Sequence, residues 1–251
     1  MVGKFLLQTG LCYWPVRVRQ GVAAGARWTL YPWSAYWRGA FEPELQRELI
    51  ALGDITGWTC WDLGAHYGLY SVGLARRTGP TGQVVAFEPN PLSYGRLTRH
   101  ARMNALHWLK AFEAAVSDAP GTAEFYTYGE LESTTTHLPY EGETRSANCA
   151  PVSVRLLCLD DLVSRGEIRS PDFVKIDVEG HAHKVLLGAR ASIEARRPVL
   201  IIAFHSDLEA QGVHEILDPL GYTAKRIETH SGDADPVIGH DFIFRADPRA
   251  S

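Results

Sequence analysis

Two short stretches hold residue types that can do chemistry together. The first is Asp62-Leu63-Gly64-Ala65-His66-Tyr67-Gly68 and the second is Glu88-Pro89-Asn90. Each follows an apolar run that reads as a strand, Trp58 to Leu63 and Gln83 to Phe87. Gly64 and Gly68 permit a tight turn and a close backbone approach by a ligand. A carboxylate at the end of the next strand, here Glu88, is placed to take both hydroxyls of a ribose. A glycine loop followed by such an acid implies a nucleoside-containing cofactor. The loop spacing is G-x-x-x-G, whereas dinucleotide loops run G-x-G-x-x-G. Asp62 stands just before the first glycine, where it repels a pyrophosphate but suits the sulfonium and ammonium of S-adenosylmethionine. The charge pattern favours S-adenosylmethionine over NAD.

Further residues gather at the ends of later strands. Glu113-Ala114-Ala115-Val116-Ser117-Asp118 closes a third strand running from Leu109 to Val116. Small residues there let an adenine ring lie against the backbone, so Ala115, Val116 and Ser117 are expected at the cofactor. Val174-Lys175-Ile176-Asp177-Val178-Glu179-Gly180-His181 closes a fourth, with Lys175 and Asp177 on one face of the strand. Asp177 and Glu179 are expected to place the methyl donor and to orient the acceptor. His181, or His205 after the fifth strand, is expected to serve as the base, since histidine titrates near neutral pH. His181 and His183 lie two positions apart and do not face one another on a helix, so no metal site is expected.

These residues need a frame of alternating strands and helices. Helices are expected over Glu42 to Leu52, Leu69 to Arg77, Pro91 to Met103, Lys184 to Ala195 and Leu208 to Leu220. Strands are expected over Phe173 to Val178, Val199 to Phe204, Gly221 to Ile227 and Asp241 to Phe244. Glu124 to Tyr128 and Val152 to Leu159 read as an inserted hairpin, joined by a polar segment containing Ser133, Thr134, Thr135 and Thr136. That loop is long enough to shape an acceptor pocket. The alternation predicts an α/β fold with an open, mainly parallel sheet and helices on both faces. Ligands in such sheets sit beyond the carboxyl ends of the strands.

Residues 1–57 form an N-terminal cap or lid segment in this reading, and residues 58–251 the cofactor-binding domain. The cap is aromatic, with Tyr13, Trp14, Trp28, Tyr31, Trp33, Tyr36 and Trp37. A homodimer contact through it is the alternative to an aromatic cap. Of 251 residues, 25 are Lys or Arg and 29 Asp or Glu, a net charge of -4, which gives no surface suited to nucleic acid. No apolar run approaches the ~20 residues of a spanning helix, so no membrane partner is expected. The first residues lack the apolar stretch of a signal peptide, and a cytoplasmic location is expected. Cys12, Cys60, Cys149 and Cys158 form no C-x-x-C pair, so free thiols are expected.

Together these blocks resemble the FkbM family of S-adenosylmethionine-dependent methyltransferases. The resemblance runs from Tyr36-Trp37-Arg38-Gly39-Ala40-Phe41-Glu42-Pro43 through Asp62 to Ser71, Val85 to Pro91, Leu159-Asp160, Lys175 to Gly180 and Val185 to Gly188. It implies a Rossmann-like class I methyltransferase sheet of seven strands and, commonly, O-methylation of a hydroxyl in a natural product or sugar. By motif match, Asp62, Gly64, Gly68, Glu88 and Asn90 would hold the cofactor, and Asp177, Glu179 and His181 would line the reacting centre. Ala65, His66, Tyr70, Ser71 and Pro89 fall inside the same motifs and are expected at the cofactor too. Ala182 and Ala203 stand where the family usually has acids.

The expected function is methyl transfer from S-adenosylmethionine, leaving S-adenosylhomocysteine, to a hydroxyl of a small-molecule acceptor. N-methylation of an amine or guanidino group is the runner-up, with Glu42, Glu130, Glu132 and Glu179 available. A catalytically inactive cofactor-binding scaffold is the reading from another class.

Overall fold

The computed structural model describes residues 14–30, 36–127, 136–137, 150–228 and 237–247. Tyr13, Tyr31, Trp33, Cys12, Cys149, Glu130 and Glu132, and nearly all of the polar segment after Thr127, lie outside the described residues.

In chain order, β1 (Pro15–Arg17) and β2 (Arg27–Thr29) form a small antiparallel pair, followed by α1 (Pro43–Ala51). The central elements are β3 (Thr59–Leu63), α2 (Leu69–Thr78), β4 (Gln83–Phe87), α3 (Pro91–Met103) and β5 (Leu109–Phe112). Then come β6 (Ala115–Val116), β7 (Gly121–Thr127), β8 (Thr136–His137), β9 (Ala150–Leu157), α4 (Leu159–Ser164) and β10 (Phe173–Ile176). The chain finishes with α5 (Ala182–Leu187), α6 (Arg190–Arg196), β11 (Val199–Phe204), α7 (Asp207–Leu217), β12 (Tyr222–Arg226) and β13 (His240–Ala246).

Seven strands form the main sheet in the order β12-β13-β11-β10-β3-β4-β5. Neighbours from β11 through β5 run parallel, while β13 is antiparallel to both β11 and β12. The expected mainly parallel sheet with helices on both faces is therefore present. Alternate residues of each strand feed two cores. Cys60, Val84, Ala86 and Ile201 join the core under α2, with Trp28, Leu45 and Leu97. Trp61, Val85, Phe87, Leu200 and Ile202 join the opposite core, with Leu162, Val185 and Val213.

Three expected elements differ. The third strand breaks after Phe112, and Ala115 and Val116 leave for a second sheet ordered β6-β9-β7-β8. The expected hairpin is the β7–β9 pair within that sheet, registered from Gly121↔Leu156 to Thr127↔Ala150, and Leu159 belongs to α4 instead. The helix expected over Lys184 to Ala195 is two helices. The Asp160 N–H donates to the Gly188 carbonyl at 2.8 Å, and the Asp160 carboxylate accepts from the N–H groups of Ala191 and Ser192. One side chain thus caps a new helix where the first has ended.

Candidate active site

Carboxyl ends of β3, β4 and β10 open into one cavity of about 280 Å³. The turn after β3 forms its floor. Gly64 has φ +81°, and a Cβ there would lie 1.9 Å from the Asp177 carbonyl oxygen. Only glycine lets the loops after β3 and β10 touch in this way. Gly68, at φ +83°, opens α2.

Glu88 is buried at 5% exposure on one wall. It accepts from the His66 N–H at 2.7 Å and from the Asn90 N–H at 2.8 Å. Burial pushes its carboxyl up to about 7, although both N–H donors favour the charged form. The His66 ring stacks on Tyr67 at 3.7 Å, and its Nδ1 meets the Tyr36 hydroxyl at 2.9 Å. Burial lowers His66 to about 4, so it is neutral at pH 7.

Opposite lies a charged group built on β10. Lys175 is 2% exposed and donates to Asp177 at 3.0 Å. Burial opposes the charge on Asp177, but the Lys175 ammonium beside it holds the carboxyl below its ordinary value. His205 Nε2 lies 3.5 Å from Asp177 and 3.6 Å from Glu179. Burial works against its charge, yet Glu209, Glu179 and Asp177 raise it to about 9. Those acids favour the protonated form of His205, which suits it less well than a neutral histidine to accept a proton at neutral pH. Burial lowers His181, which leaves it neutral and able to accept a proton.

Most of the expected site residues converge here. Gly64, Ala65, His66, Tyr70, Glu88, Pro89, Ala115, Val116, Asp177, Glu179, His181 and His205 all line the cavity. Five others lie outside its lining. Asp62 is wholly buried beneath the glycine turn, where its Oδ2 accepts from Ser71 Oγ, so neither side chain reaches the cavity. Asn90 Oδ1 accepts from the N–H groups of Leu92 and Ser93 and caps α3. Ser117 Oγ donates to Asp118 at 2.8 Å. Gly68 supports the cavity from behind, packed on Leu97.

Sequence reasoning did not place Tyr36, Phe41, Tyr67 and Lys175 in the wall, and it offered Glu42 only for an amine acceptor, yet all five line it. Glu42 precedes α1 with φ +41°, and its carboxylate accepts from the Tyr70 hydroxyl. Burial lifts Glu42 to about 7, against the pull of Lys175. Among the described residues, five other than glycine have positive φ, and three of them (Glu42, His66 and Glu179) line the cavity. Backbone strain of this kind gathers where side chains must point inward.

A parallel α/β sheet with a glycine turn and a buried acid at its carboxyl edge defines a nucleoside-binding site of the methyltransferase type. Residues 62–227, about two thirds of the chain, match the family model described as the methyltransferase FkbM domain, and the chain belongs to that family. It is 28% identical over 186 residues to the hexuronic acid methyltransferase AglP of Haloferax volcanii, covering 71% of this chain and 69% of that one. It is 28% identical over 142 residues to the 2-O-methyltransferase NoeI of Sinorhizobium fredii, covering 52% of this chain and 56% of that one. The crystal structure of a methyltransferase FkbM from Methylobacillus flagellatus shares the fold at a TM-score of 0.50 and 18% identity. That alignment covers 78% of this chain and 45% of the solved one. The expected Rossmann-like class I methyltransferase fold and the family resemblance are both borne out. No helix among the described residues is long and apolar enough to cross a membrane.

Proposed function

We propose that this chain transfers a methyl group from S-adenosylmethionine to a hydroxyl of a small molecule, a sugar or a natural product. The observation that carries the reading is the enclosed site that joins Glu88 to Asp177, Glu179 and a neutral His181. The residues fit the cofactor. Glu88 presents a buried carboxylate suited to ribose hydroxyls, Ala114 to Val116 give a flat wall for a base, and Gly64 leaves the floor open. His66, in the lining, carries at Nε2 a buried polar atom without a hydrogen-bond partner. The relatives named for hexuronic acid and 2-O methylation support a sugar hydroxyl as acceptor.

When bound, S-adenosylmethionine supplies a methyl group already activated as a sulfonium. The chain must align the acceptor, exclude water and take up one proton. Tyr36, Phe41 and Tyr67 close the apolar side of the cavity against water. His181, in the lining and lowered by burial so that it is neutral, takes the hydroxyl proton. Asp177 and Glu179, held by Lys175 and His205, orient the acceptor.

An amine acceptor is the second reading, favoured by the presence of both Glu42 and Glu179 in the lining. Calorimetric titration of S-adenosylmethionine and NAD comes first, and binding of the former alone is expected. Methyl-labelled S-adenosylmethionine is then incubated with panels of sugars and of amines. Label on an oxygen supports the proposal, label on nitrogen replaces it with the second reading, and failure to bind S-adenosylmethionine overturns both.

A further inference from the structure

Glu209 is a fully buried carboxylate in the first turn of α7. Its Oε1 accepts from the Ala182 N–H at 2.8 Å, in the first turn of α5 beyond the β10 loop. Its Oε2 accepts from the His205 N–H at 2.8 Å, in the loop after β11. The same Oε2 stands 3.6 Å from His205 Nδ1, which is buried and makes no hydrogen bond. We infer that Glu209 is a positioning residue: it ties the two loops together and fixes the His205 ring so that Nε2 faces Asp177 and Glu179.

The geometry leaves little else for this carboxylate to do. The start of α7 is already capped, because Ser206 Oγ accepts from the Glu209 N–H at 3.2 Å. A charge this buried is costly unless N–H groups and a cation compensate it. Two backbone N–H groups supply part of that compensation, and the His205 ring supplies the cation. His205 is then a charged bridge between one carboxylate behind it and two in front. Asp177 and Glu179 face it from the loop after β10, Glu209 from α7, and Lys175 stands beyond Asp177 on β10. From β13, Asp241 lies opposite Ala203 in register, and burial raises its carboxyl to about 6 against the pull of Lys175 and His205. With one cation locked in place, Asp177 and Glu179 are both oriented towards it. As a statement about catalysis this rests on the methyltransferase reading, in which those two carboxylates orient the acceptor.

Nitrogen-15 NMR of the histidine rings in the full-length, ligand-free chain tests it. In the wild type both ring nitrogens of His205 should be protonated at pH 7.5, with a titration midpoint near pH 9. In Glu209→Gln the midpoint should move down towards that of a free histidine. A single neutral tautomer in the wild type, or an unmoved midpoint in the variant, would overturn the inference. If Glu209→Gln does not fold, the wild-type ring protonation decides alone. S-adenosylmethionine titrated into the wild type is read separately. Its failure to bind would remove the catalytic reading while leaving the ring spectra to judge the Glu209–His205 pairing.

Discussion

Alanine at Gly64 and at Gly180 separates two costs that usually arrive together. Both residues have a left-handed backbone, φ +81° and +90°. An L side chain in that region costs ~1–2 kcal/mol. At Gly180 a Cβ meets nothing within 4 Å, so Gly180→Ala bears that cost alone. At Gly64 a Cβ lies 1.9 Å from the Asp177 carbonyl oxygen, which is backbone and cannot swing aside. The turn after β3 must separate from the loop after β10, and the bond from the Asp177 N–H to the Leu63 carbonyl, 2.9 Å long, sits in the path of that movement. Gly64→Ala should therefore cost more than ~4 kcal/mol, in the range reserved for overpacking with backbone strain. For a chain of this size ~1 kcal/mol lowers Tm by about 2–4 °C, giving about 2–8 °C for Gly180→Ala and more than about 8 °C for Gly64→Ala. Thermal unfolding of both variants reads the difference, and calorimetry should show S-adenosylmethionine binding lost in Gly64→Ala. Equal destabilisation of the two would refute the claim that the loops are in contact.

Glu88 titrates near 7 in the folded chain because burial disfavours its charge, while ribose hydroxyls donate best to the ionised form. S-adenosylmethionine affinity should therefore rise between pH 6 and 8 and become flat above that, and isothermal titration of Glu88→Gln should show weaker binding with no such rise. The sign for stability is opposite: the folded value exceeds the ordinary 4.5, so this group's contribution to the ligand-free chain falls as pH rises from 4.5 through 7. Lys175→Met leaves Asp177 without its partner in a site where Lys175 is 2% exposed, and urea unfolding should show a loss of ~3–5 kcal/mol. His181→Ala should lower turnover by ~10²-fold or more while leaving cofactor affinity nearly intact, and unchanged turnover would remove it as the base.

The elements most legible in the sequence are those whose limits are set locally. Val84 to Phe87 and Val199 to Phe204 are uninterrupted apolar runs, and the strands span those residues. Pro91 fixes the first turn of α3 and Asn90 caps it, so the start of that helix could be read. The glycine turn and Glu88 were legible for the same reason. What was not legible depends on partners far along the chain. The break at Gly188 requires Asp160, and the wall around Glu42 requires Tyr70. Asp62 was misplaced although its own strand holds the clue: with Cys60 it points to the face under α2, so it lies below the cavity and not in it. Glu209 carried only the Ser206-x-x-Glu209 spacing of a helix start, which says nothing of two loops meeting on its carboxylate.

The single antiparallel strand of the main sheet has a consequence for biosynthesis. β13 lies between β11 and β12, although both are made before it. Until residues 240–246 emerge, β11 presents an open sheet edge carrying Leu200, Ile202 and Phe204, and β12 has no neighbour to join. An unpaired apolar edge is a template for the wrong strand. The nascent chain must therefore carry a nearly complete cofactor pocket with an unfinished sheet beside it, and demand for a chaperone should peak just before the final strand is synthesised.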